Sequence, residues 1–291
     1  MTTRTNSDGG WLAAGCAVED ITPNGELSFA GGPAGVAVRA LHPLKAKALW
    51  LSGDRSGALL VVCDLLLFGQ DLVETVRARI SETYGIARSS VVLAGTHTHC
   101  APAVMDLRRW GNPDPAYLSR LTDILVDIAG RARRDIAPAE VRAGVVECPG
   151  IGVNRRRPGG PVNNTLPVLS FANPGGPVRA VLVNHAAHPV NLHSIGLWTP
   201  DFPHFVDECI RAELGEDVTV MCLTGAAGDV NPANFTLGTP DVVKAEETAG
   251  KIAAGVLRNM PNLERIEPPV LSMESRRVPL PFAPSFAGAR S

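Results

Sequence analysis

The chain has 291 residues, 45% of them hydrophobic and 19% charged, with a formal net charge of −2. That length and apolar content suffice for a well-developed globular core, and the chain reads as one domain over residues 1–291. The near-neutral balance gives no electrostatic case for nucleic acid, and the run Arg155-Arg156-Arg157 is too short to make one.

The first residues, MTTRTNSDGGW, lack the apolar stretch of a signal peptide, and no segment reaches transmembrane length. A cytoplasmic location is therefore the default expectation. Six cysteines at positions 16, 63, 100, 148, 209 and 222 form no CxxC pair, so neither a disulfide framework nor a cysteine zinc knuckle is expected. Cys63 and Cys222 lie in apolar runs, where free cysteine behaves as a small buried hydrophobe.

In chain order, ALLVVCDLLLF (58–68) reads as a buried strand. A helix over 71–84 follows, with Leu72, Val73, Val76 and Ile80 on one stripe. SSVVLAG (89–95) is the next strand. The clearest helix covers 115–134, its apolar face built by Leu118, Leu121, Ile124, Leu125, Ile128 and Ala132, with Pro138 beyond its end. Further strands are expected at 140–148, 166–172, 178–186 and 218–225, and helices at 205–214 and 242–257. VLSMESRRVPLPF (270–282) reads as a strand leading onward, which leaves truncation of a longer chain open. Strand–helix alternation predicts a layered α/β fold with a mostly parallel or mixed sheet flanked by helices. No internal repeat is visible.

Three polar clusters follow apolar strands: LAGTHTHCAP (93–102), NHAAHPVNLH (184–193) and GAAGDVNPAN (225–234). Ligands in open α/β sheets bind beyond the carboxyl ends of the strands. In an extended continuation of the 89–95 strand, His97 and His99 share a face about 6–7 Å apart. That spacing lets both rings meet one metal, or lets one bind metal while the other handles protons. His188 precedes a proline that disfavours helix there. His185 is expected to point to the opposite face, away from the same site, and His193 and His204 are weaker candidates. Asp201 and Asp229, in loops framed by glycine and proline, are available as ligands or as partners for a metal-bound imidazole; a helix cap and an Asx turn are the structural alternatives. The GxSxG elbow, the Walker loop and HExxH are all absent. A histidine-built, zinc-type hydrolytic site remains.

Taken together, AGCAVEDITPNGELSFAGG, GTHTHCAP, VNRRR, NHAAHPVN and GAAGDVNPAN resemble, in this order, segments of the neutral/alkaline (non-lysosomal) ceramidase family, zinc amidases that cleave the N-acyl bond of ceramide. The resemblance spans roughly residues 14–255. It implies His97 and His188 as zinc ligands, His99 as the acid/base histidine, and Arg155 as a substrate- or oxyanion-binding group. The family's catalytic serine falls at Asn231, whose amide is no nucleophile, so Asn231 would orient substrate or water. The family's later glutamate and tyrosine ligands have no counterpart; the only tyrosines here are Tyr84 and Tyr117. Asp201, Asp229 or another histidine would then complete the site, unless part of the chain is missing.

The expected activity is zinc-dependent hydrolysis of an N-acyl amide in a small molecule through a metal-activated water. The same site would also suit an ester or lactone, and loss of the serine leaves an inactive ceramidase-like binding protein as the alternative class. Ceramide itself is disfavoured as substrate, because no amphipathic basic helix suited to drawing a lipid from a membrane is visible.

Overall fold

The structure is a computed structural model and describes residues 12–31, 35–53, 56–276 and 278–279. The strands are β1 (Leu12–Asp20), β2 (Leu27–Ser28), β3 (Val36–Ala37), β4 (Lys45–Gly53), β5 (Gly57–Cys63), β6 (Val91–Gly95), β7 (Ala137–Pro138), β8 (Glu140–Glu147), β9 (Gly152–Asn154), β10 (Thr165–Ala172), β11 (Val178–His185), β12 (Thr219–Thr224), β13 (Val230–Pro232) and β14 (Glu264–Arg265). The helices are α1 (Gln70–Tyr84), α2 (Pro115–Arg134), α3 (Phe202–Leu214) and α4 (Val242–Asn259).

Two five-stranded sheets carry the fold, in the orders β6-β5-β4-β1-β7 and β12-β11-β10-β8-β14. Within the first, β1, β4 and β5 pair antiparallel, and α1 then crosses over to place β6 parallel to β5. The second repeats the plan: β8, β10 and β11 pair antiparallel, and α3 crosses over to place β12 parallel to β11. Each half thus runs three antiparallel strands, helix, parallel strand, helix. The duplication is one of topology, and the sequence shows no sign of it. The fold class is the expected layered α/β, with mixed sheets in which parallel pairing is confined to those two strand pairs.

Apolar alternation sets the layers. Leu72, Val76 and Ile80 of α1, with Leu121, Leu125 and Ile128 of α2, cover the face of the first sheet bearing Ala46, Ala48, Leu59 and Val61. Phe205, Val206 and Ile210 of α3, with Ala249 and Ile252 of α4, cover the face bearing Leu166, Val168, Val181 and Val183. The opposite faces meet through Leu12, Ala14, Leu49, Val62, Val141, Phe171, Leu182 and Met221. The result is four layers, helices outside and two sheets within. Lys47, on the inner face of β4, forms a buried ion pair with Asp207 of α3 at 2.5 Å and donates to the Val220 carbonyl at 2.6 Å, tying the two halves together.

Several boundaries differ from expectation. Strands β1 and β4 pair over nine residues yet were not foreseen. The strand expected over 58–68 ends at Cys63, because the Leu65 and Leu66 carbonyls leave the ladder to hold His97. Helix α3 starts at Phe202 rather than 205, capped by the Asp201 carboxylate with Pro203 in its first turn. The expected strand over 270–282 is absent across 271–276, while 280–282 lie outside the described residues. Cys63 and Cys222 are buried free thiols, as anticipated. No helix among the described residues is long and apolar enough to cross a membrane.

Candidate metal centre

The chain leaves β6 at Gly95, and His97 takes a left-handed backbone, φ 69°. The two histidines therefore do not sit on a continued strand; a turn aims them to the same side instead. Thr98, between them, points away and is buried, donating to the Thr199 carbonyl at 2.8 Å. His188 arrives from the loop after β11, its amide donating to the Val230 carbonyl at 3.0 Å. The ligand atoms of His97, His99 and His188 all lie within 4.8 Å of one another.

Each ring is held the same way. Nδ1 of His97 meets the Leu66 carbonyl at 2.8 Å, Nδ1 of His99 the Gly31 carbonyl at 2.8 Å, and Nδ1 of His188 the Ala227 carbonyl at 2.6 Å. A carbonyl accepts only, so each Nδ1 carries the proton and donates, which leaves each Nε2 as a bare lone pair. Nε2 of His97 and Nε2 of His188 then face each other at 3.2 Å, and Nε2 of His99 is buried without a partner. Converging unprotonated imidazole nitrogens, oriented from behind by carbonyls, are the donor set of a metal site. Three residues present fit a cation.

Burial pushes the His99 pKa down to about 3, with the Gly31 carbonyl opposing and the neighbouring histidines adding to the fall. Burial also lowers His188, helped by the positive Arg155. Both rings stay neutral at physiological pH, the state a metal requires.

The other expected residues take other places. Arg155 is hooked over the loop after β12: its guanidinium donates to the Gly228 carbonyl at 2.7 Å and to the Asn231 Oδ1 at 3.4 Å. Asn231 lies in β13, which pairs with β9 and so brings the VNRRR and GDVNP segments together. Asp201 is buried, and its carboxylate accepts from the amides of Asn191, Leu192 and Phe202. It caps α3 and pins the loop that follows His188. Asp229 accepts from Asn154 Nδ2 at 2.8 Å. Neither carboxylate belongs to the cluster that brings the three histidines together. His185 is buried apart, its ring against Phe202, as its strand position anticipated.

His193 stands closer than its sequence position suggested, its ring centroid 5.4 Å from that of His99. His204 instead stacks on His42 at 3.9 Å, away from the cluster. The carbonyls of Gly31, Leu66 and Ala227 carry no sequence signal at all, since every residue has a carbonyl. Only the positive φ of Gly31, 75°, leaves a trace, as a glycine.

No protein-family model matches the chain. Among curated proteins it is similar to the neutral ceramidase of Mycobacterium tuberculosis (strain ATCC 25618 / H37Rv), 29% identical in an alignment of 161 positions that covers 50% of this chain and 25% of that protein. Among solved structures it is similar to the neutral ceramidase of Pseudomonas aeruginosa, with a TM-score of 0.75 and 19% identity over 86% of this chain and 45% of that one. A ceramidase complexed with C2 gives a TM-score of 0.74 and 18% identity over 85% of this chain and 43% of that one. The four-layer α/β fold is that of these solved ceramidase structures, and in this chain it carries the three-histidine cluster. The chain is similar to neutral ceramidases in sequence over half its length and in fold over most of it, and it spans less than half the length of the solved structures it matches.

Proposed function

We propose that the chain is a zinc-dependent hydrolase of N-acyl amide bonds in small molecules. The observation that carries the reading is the convergence of three Nε2 lone pairs, each fixed by an Nδ1–H bond to a backbone carbonyl. Neutral imidazoles suit zinc among the common divalent ions, and three protein ligands with a free position are the pattern of catalytic zinc. Zinc in such a site polarises a carbonyl and lowers the pKa of water towards neutrality. The likeness to proteins named as ceramidases supports an amide as the bond cleaved.

We assign His97, His188 and His99 as the ligands, since His99 presents its Nε2 with the other two. The proton-transfer role that the sequence suggested for His99 is the rival assignment. Arg155 is near enough for its charge to lower the His188 pKa, and in the proposed reaction that charge would stabilise a developing oxyanion, while Asn231, held by Arg155, would orient the substrate amide. Asp201 and Asp229 support the loops that deliver His188 and Arg155.

The test is metal analysis of protein purified without chelator, alongside hydrolysis of matched N-acyl amides and esters. About one equivalent of zinc, and amide turnover lost to chelator and restored by zinc, is expected. Ester turnover without amide turnover moves the assignment to an esterase. Less than a tenth of an equivalent after zinc is added back removes the metal reading.

A further inference from the structure

A pocket of about 220 Å³ opens against His99. Its other lining residues are Phe29, Val36, Cys100, His193 and Ser194, with Gly35 and Gly196 contributing no side chain. Phe29, just after β2, and Gly35 and Val36 at the start of β3 supply one wall, and His193, Ser194 and Gly196 supply the other. Among the described residues no lining side chain is a carboxylate, lysine or arginine, so the pocket matches an uncharged, largely apolar group. Its one thiol, Cys100, is buried and donates to the Leu192 carbonyl at 3.3 Å, and burial with the nearby Asp201 pushes its pKa well above the thiol range. It is a wall and offers no nucleophile.

The geometry points to this pocket as the seat of the acyl group, and to short- and medium-chain N-acyl amides, of about two to eight carbons, as the substrate class. The inference rests on the amide-hydrolase reading and deepens it. Pockets that take whole drug-sized ligands run to about 300–1,000 Å³. At about 30 Å³ for each water-sized group, 220 Å³ seats roughly seven. A methylene beyond that number stays in solvent and adds no hydrophobic gain. Val36 lines the pocket and is half exposed, so a larger side chain there would take up its volume.

The experiment is a chain-length series. N-acyl 4-nitroanilides of 2 to 16 carbons are assayed with the zinc-loaded protein, and the matching primary alkyl amides are titrated calorimetrically into chelator-treated protein. Both kcat/KM and affinity are expected to rise severalfold per methylene to about eight carbons and then level. Val36→Trp should move the plateau to shorter chains. A rise continuing to 16 carbons, no dependence on length below eight, or an unmoved plateau in Val36→Trp overturns the inference. Amides that bind with this length profile but are not hydrolysed overturn the hydrolase reading and leave the pocket standing.

Discussion

Nε2 of His97 and Nε2 of His188 lie 3.2 Å apart although each ring already donates its only proton to a backbone carbonyl behind it. Two lone pairs at that distance repel, and the arrangement is relieved by a cation shared between them. His97→Ala is therefore expected to abolish both zinc binding and turnover, as measured by metal analysis and amide hydrolysis.

His99→Ala separates the two roles open to that ring. As a ligand, its loss drops zinc stoichiometry along with activity. Full zinc occupancy with turnover lowered by about 10²–10⁴ would make His99 the proton carrier, since that is the usual contribution of general acid–base catalysis.

Gly31→Ala should disable the centre without touching a histidine. Gly31 sits at φ 75°, and a Cβ there would lie 2.5 Å from Leu66 Cδ2 and 3.1 Å from His99 Nδ1. A left-handed alanine costs about 1–2 kcal/mol, and relief of the clash displaces the carbonyl that orients His99. The expected result is a weakened zinc affinity with a modest fall in the denaturation midpoint. Zinc affinity equal to wild type would show that the carbonyl does not position the ring.

Asp201→Ala discriminates support from ligation. Removing the carboxylate strips the cap from α3 and leaves buried amides unpaired, a combined cost of about 3 kcal/mol from typical cap and hydrogen-bond values. Folded protein should keep its zinc. Zinc lost with stability unchanged would place Asp201 among the ligands.

His185 gives a pH signature. It is 1% exposed, and burial pushes its pKa down to about 4 against an ordinary 6.5. Between those values the unfolded chain binds a proton that the folded chain refuses. Its contribution is therefore whole above about pH 6.5 and is lost as pH falls through about 4, amounting to about 3 kcal/mol. Asp201 works the other way, because burial raises its pKa to about 6 and favours the folded state at low pH. The clean measurement is the difference between wild type and His185→Leu in denaturant unfolding at pH 7 and pH 4. A difference that does not change with pH would refute the assignment.

The site was legible in sequence where it rests on side-chain chemistry and illegible where it rests on backbone. His97, His99 and His188 stood out as imidazoles after apolar runs, and helix α2 was bounded to the residue by its periodicity, with Pro138 beyond its end. Strand β4, KAKALWLSG, escaped notice because Lys45 and Lys47 fill positions that alternation reserves for apolar residues, and Lys47 is buried only because Asp207 meets it from 160 positions away. His193 looked unremarkable because its neighbour is His99, which no local pattern reveals. The topological duplication was hidden for a similar reason: it is conserved in strand order and in nothing that a residue-by-residue comparison of the halves would register.

The three rings come from different halves of that duplicated plan, two from the loop after β6 and one from the loop after β11. An ion bound there would add a further tie between layers that meet through apolar contacts, the Lys47–Asp207 bridge and hydrogen bonds such as Thr98 to the Thr199 carbonyl. Ligand binding to the folded state alone stabilises by mass action, about 4 kcal/mol at a thousandfold excess over the dissociation constant. Under the proposed metal reading that increment would belong to the seam between the halves, so metal supply and the lifetime of the whole chain would become one variable, and starvation for the ion would be felt as loss of protein as well as loss of turnover.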